Sequence, residues 1–297
     1  MTVSTIPSSA TPRRSAAPGW LRSIMLLRES LLGIIGAFLV AFWIVVAIGA
    51  PWLSSYDPDD NDFDAGIIAP PSAEHWLGTD DQARDLLSRV IWGSRVVLTI
   101  SPLATLCAYV VGCFMGLLAG YYRGWVDMVM MQICNVVLSF PVLVLYVIIM
   151  MKFGPSPLNI VIAVTFVASP QVARLVRSQT LELREREYVA AAKMRGEPAW
   201  YIMLVEILPN ARGPLIVDSC LRMGYTAITI GILGFLGMGL RPPTADWGGM
   251  ISTSQNYYTT AWWFILFPGL ALLITTLAFN LFGDGVRDAF DPRADRT

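Results

Sequence analysis

Six long apolar stretches alternate with polar segments along the chain. Residues 31–53, 96–122, 128–151 and 153–173 contain no charged side chain, residues 213–240 contain two, and residues 261–283 contain none. A helix of ~20 residues crosses the ~30 Å hydrocarbon core of a bilayer, and helices satisfy their own backbone polar groups there. The first stretch is also longer than the ~7–15 apolar residues of a signal peptide. The pattern therefore predicts an all-α integral membrane protein with six transmembrane helices.

The composition supports a membrane protein and argues against a soluble enzyme. Apolar residues make up 55% of the 297 residues and charged residues 14%, with a mean hydropathy of +0.57. An ordinary soluble domain has roughly 25% charged residues. A net charge of −1 gives no basis for nucleic-acid binding.

The basic residues predict the orientation of the chain. With the first residues in the cytoplasm, the inner segments are a polar tail at 1–30, a short loop at 121–127, a long loop at 174–212 and a tail at 284–297. These segments hold 15 of the 21 Lys and Arg, whereas the outer loops, including 54–95, hold 5. Because cytoplasmic loops are enriched in Lys and Arg, both termini are expected in the cytoplasm, with 96–283 as a five-helix core.

The long inner loop, about 177–212, is predicted to form a helix–turn–helix along the membrane face. Its first helix contains Glu187 and a run of alanines, which favour helix. Gly196 is suited to end that helix in a left-handed conformation. A second helix is expected from Pro198 to about Glu206 and to be closed by Leu208 and Pro209. The small residues at the elbow would allow a partner protein to approach closely, but an interfacial hairpin without a partner also fits the pattern.

Two groups of residues in or beside the spans are candidate functional positions. Asp218 and Arg222 lie four positions apart in the fifth span and can pair on one helix face. Charges in a span are costly and often functional, so they are a candidate gate or path wall, with a self-neutralising pair near the membrane surface as the alternative. Trp247, Tyr257 and Tyr258 precede the last span and are candidate outer-mouth contacts, or members of an interfacial aromatic belt.

The sequence offers no chemistry of its own. His75 is the only histidine, and the four cysteines form no C-x-x-C pair, so no catalytic residue and no metal site is predicted. Neither Lys152 nor Lys193 follows a glycine, which excludes a nucleotide-binding P-loop. If ATP drives the protein, ATP and Mg²⁺ must bind to another chain.

Glycines recur every four residues in the second span, at Gly112, Gly116 and Gly120. Small residues at this spacing permit close helix packing in membranes. The stripe predicts a tight contact, either within this chain or against a partner subunit.

Three separated motifs resemble one family. The inner loop is similar to the E-A-A-x-x-x-G…I-x-L-P loop of bacterial ABC-importer permeases. Ala191, Ala192 and Gly196 match this pattern, and Leu208 and Pro209 match its closing pair. The acidic position of the pattern is occupied by Ala190, three residues after Glu187. Residues 75–89, H-W-L-G-T-D-D-Q-A-R-D-L-L-S-R, resemble the stretch before the second span of the "C" permeases of dipeptide and oligopeptide importers. The stretches 234–248 and 279–292 resemble the same subfamily.

This resemblance implies a type I importer permease fold in the bacterial plasma (inner) membrane. It also implies a sister permease as heterodimer partner, two cytoplasmic ATPase subunits that receive the coupling loop, and an extracytoplasmic substrate-binding protein. Di- or oligopeptides are the expected substrates, while related permeases serve nickel, glutathione-like, opine or sugar-linked solutes. An ion-coupled secondary transporter is the alternative from a different class; it would need buried acids in mid-span, where this chain has only Asp218.

Overall fold

The computed structural model describes residues 30–290, and the predicted tails at 1–30 and 284–297 lie largely outside the described residues. The secondary structure of this part is helical: α1 (Leu31–Leu53), α2 (Leu86–Tyr122), α3 (Gly124–Leu138), α4 (Val142–Phe153), α5 (Pro157–Leu183), α6 (Glu187–Met194), α7 (Ala199–Phe235), α8 (Trp247–Ser254) and α9 (Trp262–Phe290). Five of these helices are long and apolar enough to cross a membrane, and the bent pair α3 and α4 makes a sixth candidate span. The all-α membrane fold is confirmed.

Several helices differ in their bounds from the apolar stretches. Helix α2 begins at Leu86, ten residues before the apolar stretch at Val96, because Asp85 caps the helix by accepting a hydrogen bond from the Ser88 amide at 2.7 Å. The outer loop therefore ends ten residues earlier than expected. With 37 residues, α2 is roughly 55 Å long and extends well beyond the hydrocarbon core.

The predicted third span is not a single straight helix. Helices α3 and α4 meet at an angle of 85° around the Ser139–Pro141 turn. Pro141 lacks a backbone N–H and restricts the residue before it, so a continuous helix is broken there. The fourth span likewise begins at Pro157 rather than Phe153, since Ser156 caps it.

The core forms three apolar clusters along α2. The cluster nearest the start of α2 includes Trp43 and Trp247, the middle one includes Ile100 and Ile230, and the third includes Leu117 and residues of α6. Helices α8 and α6 therefore lie at opposite ends of the bundle, and we refer to these as the α8 end and the α6 end.

The glycine stripe of α2 packs within the chain. A Cβ at Gly112, Gly116 or Gly120 would lie 2.5–2.6 Å from atoms of Val172, Ala173 or Thr180 on α5. The stripe therefore brings α2 and α5 into close backbone contact. Of the two predicted alternatives, this is the contact within the chain.

Candidate functional site

Helix α6 has one exposed face and one buried face. Glu187, Ala190, Ala191 and Met194 are exposed, and their spacing places them on the same side of the helix. Val189 and Ala192 point the other way and are fully buried in the cluster at the α6 end. Ala192 therefore anchors the helix and is not available to a partner, whereas the other four positions form a continuous outer stripe.

The turn after α6 has the expected geometry. Gly196 adopts a φ of +79°, a left-handed conformation that favours glycine, directly after the C-cap Arg195. The guanidinium of Arg195 lies 3.2 Å from a carboxylate oxygen of Glu206 and 3.6 Å from one of Glu197. These ion pairs link the end of α6 to the first turns of α7.

The second half of the predicted hairpin differs from expectation. Leu208 and Pro209 do not close a separate helix, because α7 continues through them into the fifth span. Residues Ile202–Ile207 instead form a π-helical segment. A proline ring clashes with the carbonyl four residues earlier in a regular α-helix, and local widening of the helix before Pro209 relieves that clash. The coupling loop is therefore continuous with a membrane span.

Further contacts hold the loop on the bundle. Arg184 donates hydrogen bonds to the carbonyls of Gly120 at 3.3 Å and Tyr121 at 2.6 Å, at the end of α2. Arg177 on α5 donates two hydrogen bonds to Asp127 of α3, at 2.5 and 2.6 Å. The base of the loop is thus fixed to three helices, and its exposed stripe projects from a rigid support.

Asp218 and Arg222 form a pair that also contacts two other helices. The Arg222 Nε donates to Asp218 Oδ2 at 2.5 Å, and the Tyr109 hydroxyl of α2 donates to the same carboxylate oxygen. Arg222 also donates to Gln171 of α5 at 2.9 Å. The side chain of Asp218 is 29% exposed and that of Arg222 is 17% exposed. The two charges therefore belong to a network across α2, α5 and α7, rather than to an isolated pair at the membrane surface.

The three aromatic residues of the predicted outer mouth do not share one environment. Trp247 is 1% exposed; its indole N–H donates to the carbonyl of Val90 at 2.9 Å, and its ring packs 5.1 Å from that of Trp43. Its assignment as an outer-mouth contact was wrong, because N-capping of α8 by Asp246 turns this residue into the core. Tyr257 is half-buried against that core, and Tyr258 is 66% exposed.

A polar cluster at the α8 end was not predicted from the sequence. Arg84 donates to Asp80 at 2.7 Å, and Arg89 donates to the carbonyls of Pro58 at 2.9 Å and Pro243 at 3.2 Å. His75 is buried, with Nδ1 2.9 Å from Asp85. The segment between α1 and α2 is thus a folded cap fixed to α2 and to the loop before α8. Only the alternation of Asp and Arg over residues 80–89 could have indicated it.

Asp246 is a further residue whose role was not predicted from the sequence. Its carboxylate accepts hydrogen bonds from the amides of Gly248 at 3.2 Å and Gly249 at 3.3 Å. Burial raises the pKa of Asp246 to about 6, while the hydrogen bonds that its carboxylate accepts from backbone N–H groups lower the pKa. An Asp directly before Trp-Gly-Gly is a recognisable N-cap signal.

Within residues 30–290, no group of three or more His, Cys, Asp or Glu side chains could hold a metal ion. The α6 end instead presents an exposed stripe, which the turn at Gly196 connects to the long helix α7. The described residues form a helical bundle with the length and composition of a multi-pass membrane protein.

Comparison with known proteins identifies the family. Residues 112–296 match the family "binding-protein-dependent transport system inner membrane component", and residues 20–71 match the N-terminal transmembrane domain of oligopeptide transport permease C. The chain belongs to this family of multi-pass inner-membrane permeases, which are subunits of ABC transporters and are not themselves enzymes.

Curated relatives match over nearly the whole chain. A dipeptide transport system permease protein of Alkalihalophilus pseudofirmus is 38% identical, over 97% of this chain and 95% of its own length. A probable D,D-dipeptide transport system permease protein of Escherichia coli is 37% identical, over 99% and 98%. A glutathione transport system permease protein of Pectobacterium atrosepticum is 38% identical, over 90% and 88%.

A solved structure shares the fold. A chain of the MetNI methionine ABC transporter, determined in inward-facing conformations, superimposes with a TM-score of 0.57 at 18% identity, over 68% of this chain and 97% of that chain. The expected type I importer permease fold is confirmed.

Proposed function

We propose that this chain forms the translocation path of an ATP-driven peptide importer together with a sister permease. The observation that supports this most strongly is the near full-length similarity to dipeptide permeases. Two cytoplasmic ATPase subunits would bind ATP and Mg²⁺, and an extracytoplasmic binding protein would deliver a di- or oligopeptide.

In this proposal the α6 stripe is the contact with an ATPase subunit. Met194 is 89% exposed and Trp200, across the turn, is 61% exposed. Exposed apolar side chains next to small alanines suit insertion into a cleft on another protein. Because α7 runs without a break from the turn into the membrane, movement of the docked loop would displace the fifth span directly.

The same proposal fixes the orientation. Docking to cytoplasmic ATPases places the α6 end, and with it both termini, on the cytoplasmic side, in agreement with the distribution of Lys and Arg. The capped α8 end then faces the binding protein.

Co-purification of the tagged chain from its native membrane, followed by an ATPase assay, tests the proposal. Wild type should elute with a sister permease and ATPase subunits, and its ATPase activity should rise on addition of the binding protein and a dipeptide. Ala191→Trp should lose the ATPase subunits but keep the sister permease. Ala73→Trp, the same change at an exposed position of the loop at the α8 end, should keep both.

Glutathione-like thiol peptides are a second candidate substrate, because the Pectobacterium permease named for glutathione is as similar as the dipeptide permeases. Stimulation by glutathione and not by dipeptides would favour it. Uptake by the chain alone, without ATP, would contradict the importer proposal and favour a secondary transporter.

A further inference from the structure

An apolar groove of about 410 Å³ lies between α2 and α7, in the half of the bundle nearer the α6 end. Its walls are formed mainly by Pro102 and Leu106 of α2 and by Leu215, Ile216 and Met223 of α7. Leu106 is 61% exposed and Ile216 is 40% exposed, so the groove opens at the surface of the bundle.

The groove lies on a different face of α7 from the charged network. Arg212, Ile216, Ser219 and Met223 recur every three or four positions and share one side of the helix. Asp218, Arg222 and Tyr225 are also spaced three or four positions apart and share a different side of α7. Tyr109 is common to both, since it lines the groove while its hydroxyl reaches Asp218. The groove is therefore separate from the polar face that a solute would require.

The length of the groove matches one leaflet of a bilayer. Arg212 and Met223 are eleven positions apart on α7, which corresponds to roughly 16 Å along the helix axis. The hydrocarbon core of a bilayer is ~30 Å thick, so one leaflet contributes about half of that. At the end of the groove away from the α6 end, Ser101 of α2 donates a hydrogen bond to the carbonyl of Met223 at 2.7 Å, which joins the two helices there.

Arg212 lies at the polar end of the groove. It is exposed, and among residues 30–290 its guanidinium makes no hydrogen bond and no ion pair. Basic side chains beside pockets between helices on the cytoplasmic side attract anionic lipid headgroups. A free cation above an apolar channel one leaflet deep is complementary to an anionic phospholipid.

We infer that this groove binds an anionic phospholipid, with its phosphate at Arg212 and one acyl chain along Ile216 towards Met223. Leu208 and Pro209 also line the groove, so the lipid touches the junction between the coupling loop and the fifth span. Bound lipid therefore stiffens this junction. The inference uses the proposed cytoplasmic orientation of the α6 end but does not depend on the transported substrate.

The test is a native mass-spectrometry titration of the purified transporter complex with phosphatidylglycerol, and separately with phosphatidylcholine. Wild type should bind phosphatidylglycerol in preference to phosphatidylcholine. Arg212→Gln should bind it about fivefold more weakly, the change that one interfacial basic residue supplies. Arg212→Lys keeps the charge and should bind as wild type does. Arg241→Gln, which removes an exposed arginine at the α8 end, should have no effect.

Filling the groove gives an independent measurement. Ile216→Trp should displace the bound phospholipid, whereas Leu103→Trp, an exposed position on α2 outside the groove, should retain it. Equal binding of both lipids, or wild-type binding by Arg212→Gln, would overturn the inference. So would disulfide cross-linking, with added copper phenanthroline as oxidant, of Ile216→Cys to a cysteine introduced in a membrane helix of the sister permease, because a protein helix would then occupy the groove. These outcomes concern only what occupies the groove. Failure of the inference can therefore be distinguished from failure of the proposed peptide transport.

Discussion

At the scale of single residues, close backbone contact between α2 and α5 depends on glycine. A Cβ on Gly116 would lie 2.6 Å from the carbonyl oxygen of Ala173 and 2.7 Å from the Cβ of Val176. Neither neighbour is the flexible end of a side chain, so the helices themselves must move apart. The pattern in the sequence indicated a tight contact, and the structure shows which helix forms it.

Gly116→Ala should therefore destabilise the protein by about 1–3 kcal/mol, the usual cost of overpacking. Thermal unfolding in detergent measures the effect. Gly269→Ala is the matched control, because a Cβ at that helical glycine meets nothing within 4 Å. Equal melting temperatures of the two variants would contradict the role given to Gly116.

Asp218 and Arg222 are stabilised by each other and by contacts to Tyr109 and Gln171. Removing only Arg222 leaves a partly buried carboxylate without its cation, which is costlier than removing both charges. Arg222→Gln alone should thus be less stable than the double variant Asp218→Asn, Arg222→Gln.

The double variant should assemble with its partners and yet transport poorly if the network forms a gate. Uptake into proteoliposomes and co-purification separate the two properties. Normal uptake by the double variant would end the gate hypothesis and leave the network a structural role.

The buried Asp246 predicts a pH dependence of stability. Its pKa is about 6 in the folded protein, above the ~3.9 of an unfolded Asp, so the folded state binds this proton more tightly. The contribution of Asp246 to the free energy of unfolding is greatest below pH ~4 and is lost as the pH rises to about 6. The contribution that is lost is on the order of 1–3 kcal/mol.

Asp246→Asn keeps an N-cap acceptor but cannot ionise. Between pH 4.5 and 7.5, the stability of wild type relative to this variant should fall as the pH rises. Other carboxylates titrate equally in both proteins and cancel in the comparison. If the difference in unfolding free energy between wild type and Asp246→Asn stays constant from pH 4.5 to 7.5, the raised pKa of Asp246 is refuted.

At the scale of elements, α6 exposes one stripe and uses its opposite face to hold the loop on the bundle. Glu187 lies in the first turn of α6 on the exposed face and, among the described residues, makes no ion pair. In the proposed complex this carboxylate would be available to a basic group of the ATPase subunit. The family pattern places its acid three residues later, at Ala190, and α6 shows both positions on the same exposed face.

Glu187→Gln should lower substrate-stimulated ATPase activity about tenfold, the effect of losing one charge-assisted contact at an interface. Glu185→Gln is the matched control; that carboxylate is 67% exposed and lies near Arg184 and Arg123 of this chain. If both variants hydrolyse ATP equally, the exposed stripe does not use this acid for coupling.

At the scale of the whole molecule, the two ends of the bundle are chemically different. The α8 end is capped by a loop of buried Asp–Arg pairs, while the α6 end has an exposed stripe of alanines and Met194 with one carboxylate, Glu187. The four native cysteines lie in membrane helices, so an impermeant thiol reagent reports mainly on introduced sites.

Glu74→Cys, in the loop at the α8 end, should react with an impermeant maleimide in intact cells. Glu185→Cys, at the α6 end, should react only after the membrane is permeabilised. The reverse pattern would invert the proposed orientation.

The family and the all-α membrane fold could be predicted from the sequence alone, and so could the short helix at 187–194 with its turn at Gly196. These depend on local properties: apolar length, the Lys and Arg distribution, and motifs such as Gly196 with its left-handed turn. The π segment before Pro209 and the bend between α3 and α4 also have local causes, yet their form depends on how neighbouring helices pack.

Which side of a helix is exposed could not be predicted from the sequence and became clear from the packing of the helices. Ala191 and Ala192 are adjacent in sequence, yet one is exposed and the other is buried, because α6 contributes to a cluster that includes Leu117 of α2, 75 residues earlier in the chain. Trp247 reads as an interfacial aromatic residue but lies in the core, and Asp246 becomes a buried cap beside it. Burial depends on contacts between segments far apart in sequence, and no local pattern contains them.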